Sequence, residues 1–421
     1  MRHRLLLIGF LWTLSLAVAA GQAAGDPAPN AGFLYGTVTL DDGGKLTGYL
    51  RWEDEEAFWD DLFHSRQRDV KWDDYADMEA LAKARRQEYY RNHGLIDRIA
   101  YALENRDGER ELRRLFVARF GDVAAIRVDA DEAIALEMNE GTLYPVRGHS
   151  NDVSQDIIVT TADGETHDLD WDEFREIRFA QAPADLAPPA ARLWGHVRSR
   201  EGSYEGFIQW DKSECVDTDI LDSDEEDLAM GDLAELRRVP GGNSEATLRD
   251  GRVLALSGSN DVGNGNRGVV VETTDRGRLT IPWDLFESAA FATGHGSGPG
   301  RDAYAGDGPL RGAVTDADGR TWRGRLVFDL DEARTGDLFN GNSAMGTAYD
   351  IPFRLIATIE PTAPAAVRVG LRNGIVLDLQ GEQDTGDGNA GVLVWETPDA
   401  APRHILWSDV RRIGFEPFVI D

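Results

Sequence analysis

The sequence predicts a mainly β protein built as three tandem units. Short runs alternate apolar and polar residues and are punctuated by Asp-Gly, Asn-Gly and Gly-rich turns, the pattern of half-buried strands joined by hairpins. Two stretches have linker composition, "QAPADLAPPAA" at 181–191 and "TGHGSGPGRDAYAGDGP" at 293–309. The three segments they separate repeat one another, the mark of an internally duplicated architecture.

The front of each unit reads "YGTVTLDDGGKLTGYLRWEDEEAFWDDLF", "WGHVRSREGSYEGFIQWDKSECVDTDIL" and "RGAVTDADGRTWRGRLVFDLDEARTGDLF". Gly48, Gly206 and Gly324 each stand thirteen residues before Asp61, Asp219 and Asp337. Leu50 and Trp52, Ile208 and Trp210, and Leu326 and Phe328 follow those glycines at strand spacing. The back of each unit ends with Phe179, Phe291 and Phe415, each eight residues after Trp171, Trp283 and Trp407. Asp152, Asp261 and Asp384 correspond in the loops between. The units are expected at 31–180, 192–292 and 310–416, each made of two barrel-like or roll-like modules of about five strands.

The first unit carries an extra segment, about 64–112, that the others lack. Tyr75, Met78, Ala82, Tyr89, Ile96 and Ile99 fall in it at helical spacing. Asp73 or Asp74 caps the start and Gly94 interrupts the run. This predicts a helical insertion whose stripe, Tyr75 and Met78 included, lies on the first barrel.

The unit fronts, with a turn followed by Gly-x-Leu-x-Trp/Phe-Asp and an acidic, apolar run as in "GYLRWEDEEAFWDDLF", resemble modules of the PRC-barrel and Sm-like kind. The backs, with "GSNDVGNGNRG" and "PWDLF", are similar to repeats of exported bacterial proteins. The resemblance covers three pieces of roughly thirty residues, each the length of a few hairpins, and implies a small-barrel fold. Sm-type rings bind RNA. A formal net charge of −31 argues against that activity here, because phosphates would be repelled.

The first residues predict export. Arg2 and Arg4 precede the apolar run Leu5–Ala20, and Ala17-Val18-Ala19 supplies a cleavage pattern, giving a signal peptide over 1–24. No later segment approaches a membrane-spanning apolar run. Cys215 is the one cysteine, so an internal disulfide is excluded and the cores must hold the fold. Together these point to a periplasmic or secreted protein of a bacterial envelope.

Chemistry is harder to place. The loop "LSGSNDVGNGNRGVVVE" at 256–272 has counterparts in all three units. Its Asp261, with Asp152 and Asp384, and the amides Asn260, Asn266 and Asn389 supply hard oxygens, the ligand type calcium takes. The same residues equally close Asx turns with glycines at positive φ, and that is the expected role. The "DADG" at 316–319 lacks a closing Glu and occupies a hairpin position. Glu56, Glu214 and Glu332 with Asp61, Asp219 and Asp337 form candidate acid/base pairs, yet three active sites on three small modules would be unusual. Cys215 shares its position with Ala57 and Ala333 and reads as a small core filler.

Histidines outside the leader are scattered and form no H-x-H or H-E-x-x-H pattern, and no P-loop or G-x-S-x-G appears. No cofactor is expected. Within the insertion, Arg85, Arg86 and Arg91 surround Tyr89 and concentrate positive charge in an acidic chain, a candidate docking face. The expected function is non-catalytic binding or scaffolding of an envelope protein or polymer, with no nucleic acid and no membrane span. A carboxylate-based hydrolase of envelope glycans is the alternative.

Overall fold

The computed structural model describes residues 28–53, 55–67, 71–83, 114–130, 133–148, 152–386 and 388–417. They form a mainly β protein of large antiparallel sheets. Residues 35–179 carry β1 (Tyr35–Leu40), β2 (Lys45–Trp52), β3 (Leu62–Gln67), β4 (Arg114–Arg119), β5 (Val123–Ala130), β6 (Ala133–Met138), β7 (Leu143–Arg147), β8 (Ile157–Thr161), β9 (Thr166–Leu169) and β10 (Phe174–Phe179). Residues 194–292 carry β11 (Trp194–Ser199), β12 (Gly202–Gln209), β13 (Ile220–Leu221), β14 (Leu228–Ala229), β15 (Leu233–Arg238), β16 (Ser244–Leu248), β17 (Val253–Leu256), β18 (Val269–Thr273), β19 (Gly277–Ile281) and β20 (Phe286–Ala292). Residues 311–415 carry β21 (Arg311–Asp316), β22 (Thr321–Phe328), β23 (Leu338–Asn342), β24 (Ala348–Pro352), β25 (Ile356–Ala363), β26 (Ala366–Leu371), β27 (Val376–Gln380), β28 (Val392–Trp395), β29 (Arg403–Ile405) and β30 (Val410–Phe415).

The first segment pairs in the order β4-β3-β7-β6-β5-β10-β1-β2-β8-β9. The third pairs as β24-β23-β27-β26-β25-β30-β21-β22-β28-β29. The middle segment runs β17-β16-β15-β20-β11-β12-β18-β19, with β13 and β14 forming a separate two-stranded sheet. Finally β19 pairs with β24 and joins the middle and third segments into one eighteen-stranded sheet.

These orders differ from two consecutive modules per unit. The chain leaves β2, builds β3 to β7, and only then returns to lay β8 on β2 and β10 on β1. Five strands are thus nested inside five others, and β5–β10 joins the groups. Among the described strands neither sheet closes into a barrel, because the end strands of each series do not pair with each other.

Apolar residues at alternate positions fill the cores. Leu50 and Trp52, Ile208 and Trp210, and Leu326 and Phe328 are all buried. One cluster serves the first segment and a second runs continuously through the other two. The junctions between segments combine apolar clusters with buried ion pairs. Arg192 lies between the Phe58 and Phe207 rings, 3.9 and 4.1 Å from their centroids, and pairs with Asp60 at 2.8 Å. Arg119 pairs with Asp122 and Asp307 at 2.8 and 2.9 Å. Such bonds hold the segments in register, since a buried arginine without its carboxylates would be costly.

The insertion departs from its expected packing. Its first four residues, 64–67, belong to β3, and only 78–83 are helical among the described residues. Residues 73–75 form a 3-10 turn that ends at extended Ala76, so helical spacing does not run through. Tyr75 and Met78 are consequently exposed, at 50% and 38%. Trp72 and Leu81 are the buried ones, and they pack on Val327, Leu330, Ala333, Ala390 and Leu393 of the third segment. Burying Leu81 contributes about 1.5–3 kcal/mol. The Asp77 N–H donates to His404 Nδ1 at 3.0 Å and strengthens the same contact. Among the described residues no helix is long and apolar enough to cross a membrane.

Candidate functional site

The repeated loops are built by backbone bonding. Asp152 Oδ2 accepts the His64 N–H at 2.5 Å, Asp261 Oδ2 the Asp222 N–H at 2.8 Å, and Asp384 Oδ2 the Asn340 N–H at 2.7 Å. Each donor stands three residues after Asp61, Asp219 or Asp337. Trp52 and Trp210 indoles donate to the Asp152 and Asp261 carbonyls at 2.9 and 2.8 Å. Asn266 and Asn389 are buried. Their Nδ2 groups donate to the Asp261 and Asp384 carbonyls, and their Oδ1 atoms accept the Gly268 and Gly391 N–H groups. Gly268 and Gly391 have φ of 117° and 99°, where a side chain would be strained. Neither amide is turned toward a ligand; Asn260 is exposed.

Asp61, Asp219 and Asp337 cap backbone as well. The Oδ2 of Asp61 accepts the Ala57 and Phe58 N–H groups, that of Asp219 those of Cys215 and Val216, and that of Asp337 those of Ala333 and Arg334. Asp61 and Asp219 still lie close enough to Glu56 and Glu214 to raise them, whereas Asp337 is not among the acids that raise Glu332. The neighbours that charge places beside Glu56, Glu214 and Glu332 include Asp152, Asp261 and Asp384. In Glu56 and Glu214, Oε2 is buried without a hydrogen-bond partner among the described residues, and the Glu332 carboxyl is buried against Asp331. Burial, reinforced by adjacent carboxylates, pushes Glu214 up to about 8 and holds Glu56 and Glu332 well above the ordinary carboxylate range. Among the described residues, no group of three or more His, Cys, Asp and Glu is placed to hold a metal ion. Cys215 is buried, and burial pushes its thiol up. Arg85, Arg86, Tyr89 and Arg91 lie outside the described residues.

One place brings several of these acids together. A cleft separates β4 from the third segment, with adjoining chambers of about 200 and 60 Å³. Leu115, Val117, Asp331, Glu332 and Asn340 border both chambers. Asp350, Glu382 and Asp384 join Asp331 and Glu332 around the larger one, which His64 also lines. No lysine or arginine is among its described lining residues. Asn340 Nδ2 donates to Asp350 at 2.5 Å, and Asn342 Nδ2 to Glu382 at 2.8 Å, which fixes both acids. Asp337 lines the smaller chamber, where burial pushes it up to about 7. Arg334, 3.4 Å from Glu140, is the cation of that chamber.

The other wall is a strand edge. Asp61 O accepts the Phe120 N–H at 2.9 Å. Counting back along the β3–β4 ladder, antiparallel alternation turns the N–H and C=O groups of Leu115 and Val117 away from β3. Neither residue has another backbone partner among the described residues. The sequence reading missed this wall entirely. The signal was faint: an alternating "RLFVAR" run following the insertion.

A larger cavity of about 530 Å³ lies between residues 188–193 and 291–296. Half of its lining residues are Pro, Ala and Gly, and Arg249 there is committed to the Gly231 carbonyl at 2.8 Å. The acidic cleft has the convergent polar groups and displaced protonation that mark working sites.

No protein-family model matches the chain, and no curated protein matches it. A solved streptogramin B lyase structure is similar at 12% identity with a TM-score of 0.13, over 70% of this chain and 94% of that one.

Proposed function

We propose that this is an exported, non-catalytic binding protein of the bacterial envelope whose acidic cleft takes a cationic group from an envelope protein or polymer. The observation that carries the reading is the larger chamber: five carboxylates and no lysine or arginine among its described lining, with the Glu332 carboxyl buried beside Asp331 and Asp384. An incoming cation adds positive charge beside Glu332 and draws it into its ionised form. A chamber of this volume suits a guanidinium or ammonium on a short stem.

The same reading treats residues 31–180, 192–292 and 310–416 as three copies of one unit of PRC-barrel or Sm-like kinship. The recurring strand orders and the two nested groups of five strands support it. The signal peptide over 1–24 lies outside the described residues and remains part of the proposal. So does the arginine face of the insertion as a second docking surface.

Titration of the mature chain with acetyl-arginine amide tests the cleft. Glu382 is exposed, so Glu382→Lys should keep the fold and reduce affinity at least tenfold. Equal affinity in that variant would remove the cleft from the account. The hydrolase is a second reading, favoured by the raised Glu332 beside Asp384. Release of reducing ends from envelope glycan, lost in Glu332→Gln, would establish it.

A further inference from the structure

The open edge of β4 has a counterpart that this chain already fills. β24 stands to β23 as β4 stands to β3: Asn340 faces Asp350 and Gly341 faces Tyr349, where His64 faces Val117 and Ser65 faces Phe116. His64 and Asn340 occupy the same place, three residues past Asp61 and Asp337. The outer edge of β24 is covered by β19, antiparallel, with Arg278 opposite Asp350, Leu279 opposite Tyr349 and Thr280 opposite Ala348. Arg278 carries its guanidinium from that ladder into carboxylates, 3.1 Å from Asp61, and donates to Gln209 Oε1 at 2.7 Å. The molecule therefore contains one worked example of a basic strand laid on this edge.

On β4 the same edge receives no strand among the described residues. Its outward-facing residues, Leu115 and Val117, are the two that border both chambers of the acidic cleft. Each presents an N–H and a C=O with no backbone partner among the described residues, and an edge of this kind is a template for strand addition. A polyamine would satisfy the carboxylates but offers no acceptor for the two N–H groups. An extended peptide satisfies both.

We propose that the cleft takes an extended basic segment of a partner protein, which adds to the outer edge of β4 as an antiparallel strand and sets an Arg or Lys opposite Val117. This rests on the reading of the cleft as a cation site. In the β19 example the residues aligned with Asp350 and Ala348 turn their backbone toward β24, and Leu279 between them turns away. The partner's backbone bonds follow the same alternation, and its basic side chain enters the space bounded by Asp331, Glu332 and Asp384.

The test uses the mature chain and the capped pentapeptide Gly-Arg-Leu-Thr-Ile, a copy of β19, with acetyl-arginine amide as the side-chain control. The peptide should bind at least tenfold more tightly than acetyl-arginine amide. N-methylation at the peptide's Thr should abolish that advantage, and N-methylation at its Leu should leave it. If both N-methyl peptides bind like the parent, or the parent binds no better than acetyl-arginine amide, strand addition is refuted while the cation site stands. If neither probe binds, the cation reading fails, and this inference with it.

Discussion

Two junctions of the third segment make opposite use of the same kind of strand edge. Against the middle segment, β24 meets β19 through a backbone ladder, and the space is filled. Against the first segment, β4 and residues 331–340 share no ladder among the described residues, and a largely acidic cleft lies between them. The difference lies in what each edge faces. β19 brings its own hydrogen-bond donors and acceptors together with Arg278, so Asp350 and Asp61 have a cation beside them. The β4 edge faces the side chains of Asp331 and Glu332, with no strand beside it among the described residues. The two edges differ, among the described residues, in the charge and the strand that come with them.

The comparison breaks most sharply at the arginine. Arg278→Met should destabilise the fold by about 3–5 kcal/mol in urea unfolding, because Asp61 and Asp350 are left buried without their cation. Arg334→Met in the cleft should cost less, about 1–2 kcal/mol, because its pair with Glu140 is partly exposed and one hydrogen bond to the Asp307 carbonyl goes with it. Similar losses for the two variants would mean that the junctions are alike.

A second pair of substitutions asks the same of the backbone. Ala348 and Leu115 occupy matching ladder positions. Ala348→Pro removes a donor that bonds β19 and should cost about 2–4 kcal/mol. Leu115→Pro removes one that faces the cleft and should cost under about 1 kcal/mol, while weakening peptide capture. A large loss from Leu115→Pro would show that β4's outer edge is already paired.

The smallest expected effect is on pH dependence. Burial holds Glu332 protonated well above the usual carboxylate range, and a bound cation favours its ionised form. Affinity for acetyl-arginine amide should therefore rise with pH toward the raised value and fall as the medium is acidified. A gain of about tenfold on raising the pH above the ordinary carboxylate range corresponds to about 1.4 kcal/mol. Glu332→Gln should flatten the profile. A flat profile in the wild-type chain would place the cation elsewhere.

Local chemistry was readable in the sequence and long-range pairing was not. Asp152, Asp261 and Asp384 sit where loop spacing put them, and the alternation around Leu50 and Trp52 marks buried strand positions. Periodicity reports which face of a strand is buried, however, and is silent on which edge meets which. The nesting of β3–β7 between β2 and β8, the β19–β24 ladder and the open β4 edge all depend on that missing information. The insertion shows the same limit. Tyr75 and Met78 have helical spacing, but the chain is extended at Ala76, so Trp72 and Leu81 are the residues that reach a core, and that core belongs to the third segment. Glu332 looked like a partner of Asp337 because the two are close in sequence, whereas Asp337 is occupied with backbone N–H groups.

Amide hydrogen exchange measured residue by residue, with and without the Gly-Arg-Leu-Thr-Ile peptide, addresses the central claim most directly. In the free protein the Ala348 and Asp350 amides should be protected by β19, and those of Leu115 and Val117 should exchange quickly. Adding peptide should slow Leu115 and Val117 and leave Ala348 and Asp350 unchanged. Protection of Leu115 and Val117 before peptide is added, or exchange there that peptide does not alter, would contradict the account.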